Sequence, residues 1–168
     1  MAAFTNIAKV LLQAGEDLKE ILIAELIAQD HIASGKLANS FDVDFEISGD
    51  ALFLEVNNTA GYAIAVDEGL SAGTVVGVRK LIRWVKLKAA RGFLRASTEN
   101  AVIIIAKRVN KSIRERGTSS PKGFIGNAMD TAHRVGIFRR IADATGLEVD
   151  GFLGESEIDA TITVTLTA

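Results

Sequence analysis

At 168 residues and 17.9 kDa, with 48% hydrophobic and 24% charged residues, the chain has the size and balance of one folded domain rather than a disordered segment. It has no cysteine, which excludes disulfides, a thiolate nucleophile and thiolate-bound zinc, and its two histidines, His31 and His133, are too few for a multi-histidine metal site. The net charge of −2 suggests no preference for a polyanion.

The first element is a helix expected over Asn6 to Ser34, with Ile7, Leu11, Ala14, Leu18, Ile21 and Leu22 at helical spacing. Thr5 or Asn6 can cap its start, Gly35 can end it in a left-handed conformation, and Gly15 is a weak point where it can bend. From Ile21 to Ile27 the helix is apolar around most of its circumference. That predicts sandwiching within the fold or contact with a neighbouring subunit, with Ile23 and Ile27 as candidate interface residues. His31 falls in its last turn, where an imidazolium suits the helix dipole.

A hairpin follows. Phe41, Val43, Phe45 and Ile47 alternate with Asp42, Asp44 and Glu46, and after Gly49-Asp50 the residues Leu52, Leu54 and Val56 alternate with Phe53 and Glu55. One sheet face is core; the other carries Asp42, Asp44, Glu46 and Glu55. Alternate residues of a strand stand about 7 Å apart, too far for a compact metal cage without further ligands, so this row is expected to face solvent or a partner. The stretch from Asn57 to Gly77 is rich in Gly, Ala and Thr, with an apolar piece at Tyr62 to Val66 and a flexible loop expected over Leu70 to Gly77.

Three helices are expected next. Val78 to Ala90 places Val78, Leu81, Ile82, Val85 and Ala89 on one stripe, and Thr98 to Arg116 does the same with Val102, Ile105, Ala106, Val109 and Ile113. The third opens at Ser120-Pro121 and runs from Phe124 to Ala144, with Ala128, Ala132, Val135 and Ala142 inward. Ile158, Ala160, Ile162, Val164 and Leu166 then alternate with Asp159 and threonines, the strongest strand signal in the chain, which pairs into the sheet or extends to a neighbour. The order of elements predicts a single α+β domain over residues 1–168, a long N-terminal helix and further helices packed on a mostly antiparallel sheet, with residues 157–168 as a possible extended strand.

Counted by segment, the charge is far from neutral. Residues 1–78 hold 3 basic and 12 acidic side chains, residues 79–140 hold 16 and 3, and residues 141–168 hold none and 6. Balances of −9, +13 and −6 describe a multipole, and such a bias points to a partner-facing surface: nucleic acid, or the acidic surface of another copy. Arg79, Arg83, Lys86, Lys107, Lys111 and Arg114 are the candidate interface residues of the basic segment.

The chemistry of catalysis is missing from the pattern. Ala72 to Arg79 has neither the spacing nor the lysine of a phosphate-binding loop, no dinucleotide fingerprint occurs, and Gly154-Glu155-Ser156-Glu157-Ile158 lacks the closing glycine of a nucleophile elbow. Glu16 and Asp17 face different sides of a helix, and His133 with Asp130 reads as a surface helix contact. Trp84, flanked by Lys80 and Lys88, reads as an amphipathic residue at the core edge covered by lysine stems, in preference to a base-stacking aromatic. The expectation is no enzyme, no cofactor and no metal. No apolar run reaches the roughly 18 residues of a membrane span, and Met1 to Asn6 lacks a basic signal-peptide start, so a soluble protein made in a reducing compartment is expected.

One resemblance emerges from short motifs between residues 60 and 132. Asp67-Glu68-Gly69 precedes a loop and Leu81-Ile82-Arg83-Trp84-Val85-Lys86. A helix with Ala101 and Ile105-Ala106-Lys107-Arg108-Val109 leads to Gly117-Thr118, Pro121, Phe124-Ile125 and Ala128. This order resembles the tail-completion (neck, or head–tail connector) proteins of long-tailed bacteriophages. The loop Leu70 to Gly77 lacks the prolines common there, and the C-terminal strand has no counterpart in the pattern. The resemblance implies a structural virion protein made in the host cytoplasm, with no membrane contact. It would form a homo-oligomeric ring, typically hexameric, between connector and tail proteins, with DNA passing through the lumen. The alternatives are a tail terminator ring protein, or a non-catalytic nucleic-acid-binding protein using residues 79–140.

Overall fold

The computed structural model describes residues 2–31, 34–48, 51–119, 123–145 and 160–166. Helix α1 (Ala2–Ala28) is followed by the strands β1 (Phe41–Ser48) and β2 (Ala51–Asn58), a short helix α2 (Ala63–Asp67) and a two-residue strand β3 (Gly69–Leu70). Then come α3 (Val78–Ala90), α4 (Glu99–Arg116), β4 (Thr118–Ser119), α5 (Phe124–Arg134), α6 (Ile137–Thr145) and β5 (Ala160–Leu166). The fold is α+β. β1 and β2 pair antiparallel, β5 lies parallel on the other side of β2, and β3 pairs antiparallel with β4.

Two apolar cores result. In the first, Leu11, Ala14, Leu18, Leu22 and Leu26 form a buried stripe along α1, which contacts β1 and β2 as well as α5 and α6. Having neighbours in two layers explains why α1 is apolar over so much of its circumference. Leu54 and Val56 come from the sheet, Phe124, Ala128 and Ala132 from α5, and Ile137 and Ile141 from α6, with Phe41 edge-on to Phe124 at 6.3 Å between ring centroids. The second core is the α3–α4 pair, closed by Leu81, Val85, Val102, Ala106 and Ile113.

Several expectations need correction. α1 ends at Ala28, not near Ser34, and Thr5 and Asn6 lie inside it. The left-handed residue at its end is Asp30, φ 56°: the Asp30 N–H donates to the Ile27 carbonyl (3.0 Å) and the His31 N–H to the Leu26 carbonyl (2.8 Å). Such paired bonds close a helix once one residue turns left-handed, and aspartate tolerates that backbone better than most. Gly15 lies within the continuous α1, and a Cβ there would collide with Val43 and stand 2.9 Å from Leu54 Cδ1, so α1 packs closely on the sheet at this position. The helix expected over Phe124–Ala144 is two helices, broken at Gly136 with φ 77°, and Val135, read as inward, is 61% exposed. Leu70 belongs to a strand, and the loop after it is tied down by the Gly73 N–H on the Arg114 carbonyl (2.9 Å). The turn Gly49-Asp50, the start Ser120-Pro121 and the beginning of the last strand at Ile158 and Asp159 lie outside the described residues.

Candidate interaction surfaces

One short ladder, β3 with β4, and one carboxylate join the two cores. Asp67, the last residue of α2, turns its carboxylate onto the open N-terminus of α5, where Oδ1 accepts the Ile125 N–H at 2.9 Å. An aspartate is the best acceptor for such an orphan donor, and its charge suits the positive end of the helix dipole. Gly123, which precedes α5, leaves room for that carboxylate: a Cβ there would lie 2.5 Å from Asp67 Cγ. Beside it the Leu70 N–H donates to Thr118 Oγ1 at 2.8 Å, and Gly117, φ 71° and ψ −166°, caps α4 with its N–H on the Ile113 carbonyl. A Cβ on Gly117 would collide with the Leu70 carbonyl oxygen and lie 2.9 Å from the Ala72 nitrogen. Asp67, Gly69, Gly117 and Thr118, singled out in the sequence, are thus one joint, and Phe124 next to it is fully buried.

A second tie crosses between the cores. Lys88 is 3% exposed, and its ammonium donates to the Asp30 carbonyl oxygen and to Asp30 Oδ1 (2.6 Å) while standing 4.8 Å from the Phe93 ring centroid. Lys88 is not the cover over Trp84 that its place one turn along α3 suggests. Instead it holds the C-terminal end of α1, where a cation is favoured. Its position was legible: Leu81, Val85 and Lys88 follow one another at i, i+4 and i+7, so Lys88 lies on the buried stripe.

His31 beside this pair is half-buried, and burial first, then the Lys88 charge, holds its pKa below the ordinary 6.5. It lies beyond the helix end with Nε2 3.1 Å from Gln29 Oε1, in surroundings that disfavour the imidazolium expected there. Asp17 is held below its ordinary 3.8 chiefly by its hydrogen bond to Arg140, which ties α1 to α6. Glu16 pairs instead with Lys19, so the two neighbouring acids do face apart.

The charged candidates lie on two separate surfaces. Asp42, Asp44, Glu46 and Glu55 are all exposed on the sheet face opposite α1, with Asp44 directly across from Glu55. Asp42 and Asp44 accept only the following backbone N–H, Glu55 accepts from Asn57, and none of the four meets a cation among the described residues. No three His, Asp or Glu side chains among the described residues are placed to hold a metal ion.

Arg79, Arg83 and Lys86 are exposed on α3, and Lys107, Lys111 and Arg114 on α4. Lys86 pairs with Glu99 (3.4 Å) and Lys111 with Glu115 (3.6 Å), both loosely and in solvent; the other four have no acid partner among the described residues. Lys107, Asn110, Lys111, Arg114 and Glu115 line a cleft of about 570 Å³ with Gly73 and Val75. Of the apolar candidates, Ile27 is 62% exposed, whereas Ile23 packs against the first core. Trp84 is 37% exposed and lines an apolar groove with Tyr62, Leu70, Leu81, Val109 and Ile113, as its reading at the core edge requires. No helix among the described residues is long and apolar enough to cross a membrane. Compared with protein-family models, curated proteins and solved structures, the chain matches none.

Proposed function

We propose that the chain is a non-catalytic structural protein of a bacteriophage neck, forming a ring, hexameric by the resemblance, that joins the tail to the head-side connector. The observation that carries this reading is the joint between the cores. The short motifs behind the resemblance lie some fifty residues apart in sequence, and they meet as Asp67 on the N-terminus of α5 and Gly69 and Leu70 against Thr118. Motif residues that fit together as one structural unit support a shared architecture better than scattered matches do. Its neighbours would be connector and tail proteins in the virion, and DNA would pass through the lumen.

Native mass spectrometry and particle imaging, on the protein alone and with tail components, test this reading. Rings are expected; a persistent monomer in both settings overturns it. The basic stripe on α4 favours a second reading, a nucleic-acid-binding protein. Retention on duplex or single strand that falls steeply with salt would support that reading, and no binding at about 50 mM salt removes it.

A further inference from the structure

We propose that successive copies join head to tail, with the sheet face of one copy (Asp42, Asp44, Glu46 and Glu55) docked on the α4 stripe (Lys107, Lys111 and Arg114) of the next. This rests on the ring reading above and names the contact that builds it. Both faces are exposed, and no ion pair joins them within one chain among the described residues.

The spacings agree. Residues 107, 111 and 114 rise about 6 and 4.5 Å along a helix, and residues 42, 44 and 46 advance about 7 Å per pair along a strand. The cations form a row on one helical face that lies open beside the cleft with Gly73 and Val75. Asp44 faces Glu55 across the hairpin, and like charges directly opposite destabilise a sheet unless a cation from outside answers them.

Apolar groups accompany the charges on both faces. Ile104 is 50% exposed one turn before Lys107, and Val75 is 75% exposed at the cleft. On the sheet, half-buried Phe53 lies opposite Glu46. A phosphate backbone has no use for such a rim, the cleft lining contains no aromatic on which a base could stack, and the whole chain is net negative. A second copy of the chain fits better than a nucleic acid. Because the two faces are different surfaces, the contact repeats head to tail and either closes a ring or grows a filament.

Sedimentation of the full-length chain tests the contact. Lys107→Glu with Lys111→Glu makes both contacting faces acidic; Asp42→Lys, Asp44→Lys and Glu55→Lys together make both basic. Each variant alone is expected to raise the concentration for half-assembly at least about tenfold. An equimolar mixture of the two should restore assembly, because alternating copies again oppose unlike charges. If the wild type assembles and both variants assemble equally well, this contact is wrong and the ring reading stands. If the mixture fails to recover, the pairing of these two faces is wrong. If the wild type alone is a monomer, the head-to-tail contact is overturned, and the ring reading falls with it only if the chain stays monomeric with tail components as well. If the α4 variant assembles normally but loses binding to a short duplex, the stripe serves nucleic acid and the proposal is overturned.

Discussion

A lysine ammonium withdrawn from water must have its charge answered within hydrogen-bond reach, or the chain forfeits several kcal/mol. Lys88 meets that demand at Asp30, so replacing it separates two effects. Lys88→Ala should cost about 3 kcal/mol by losing the ion pair, the bond to the helix-end carbonyl and the buried stem. Lys88→Met keeps the stem and should cost less, with denaturant unfolding as the measurement. His31 lies close enough to feel the same charge, and its depressed pKa has a definite sign. The unfolded chain takes up a proton near pH 6.5 and the folded chain only at lower pH, so stability falls as the pH drops below about 6.5 and levels off beneath the folded value. Asp17 adds a second loss, beginning below its ordinary 3.8. His31→Gln should flatten the slope below about pH 6.5 and leave the acid limb of Asp17 in place.

At the scale of elements, three glycines with different surroundings make a graded series. Gly136 has φ 77° and nothing within 4 Å of a Cβ, so Gly136→Ala should cost only the left-handed backbone penalty, about 1 kcal/mol. Gly123→Ala drives a methyl into the Asp67 carboxylate and should cost about 2 kcal/mol, together with part of the α5 cap. Gly117→Ala meets backbone atoms that cannot yield and should cost about 3 kcal/mol or more. The stripes on α1, α3 and α4 and the alternation in β1 and β2 were readable because each is set by its own period against one core. The boundaries were less so. Asp30 ends α1 through a tertiary bond from Lys88, which no local pattern records, and the wheel drawn through Gly136 misplaced Val135 because the helix restarts there. The charged faces were readable as exposed rows; the separation between them was not, since it depends on how the two cores are joined.

For the whole molecule, two cores linked by a small joint and by the Lys88–Asp30 tie imply two cooperative units coupled through those contacts. The wild type should unfold in one transition, with calorimetric and van't Hoff enthalpies equal. Gly117→Ala should do more than lower the midpoint: it should split the transition, the α3–α4 pair melting first, with the Trp84 fluorescence change preceding the loss of overall helicity. A single shifted transition would show that the cores are bound more broadly than by these contacts.

The clamp at Asp30 has one more consequence. A helix of 27 residues is about 40 Å long, comparable to the diameter of a compact chain of this length. α1 is therefore a strut with the sheet packed along its side and the α3–α4 pair gripping its far end. A tilt of about 5° at one end carries the other through about 3 Å, farther than the Lys88–Asp30 bonds can stretch. Load applied to the sheet and passed along α1 reaches this grip, where the α3–α4 pair swings with the strut or the Lys88–Asp30 bonds open. The buried lysine makes this lever a latch as well.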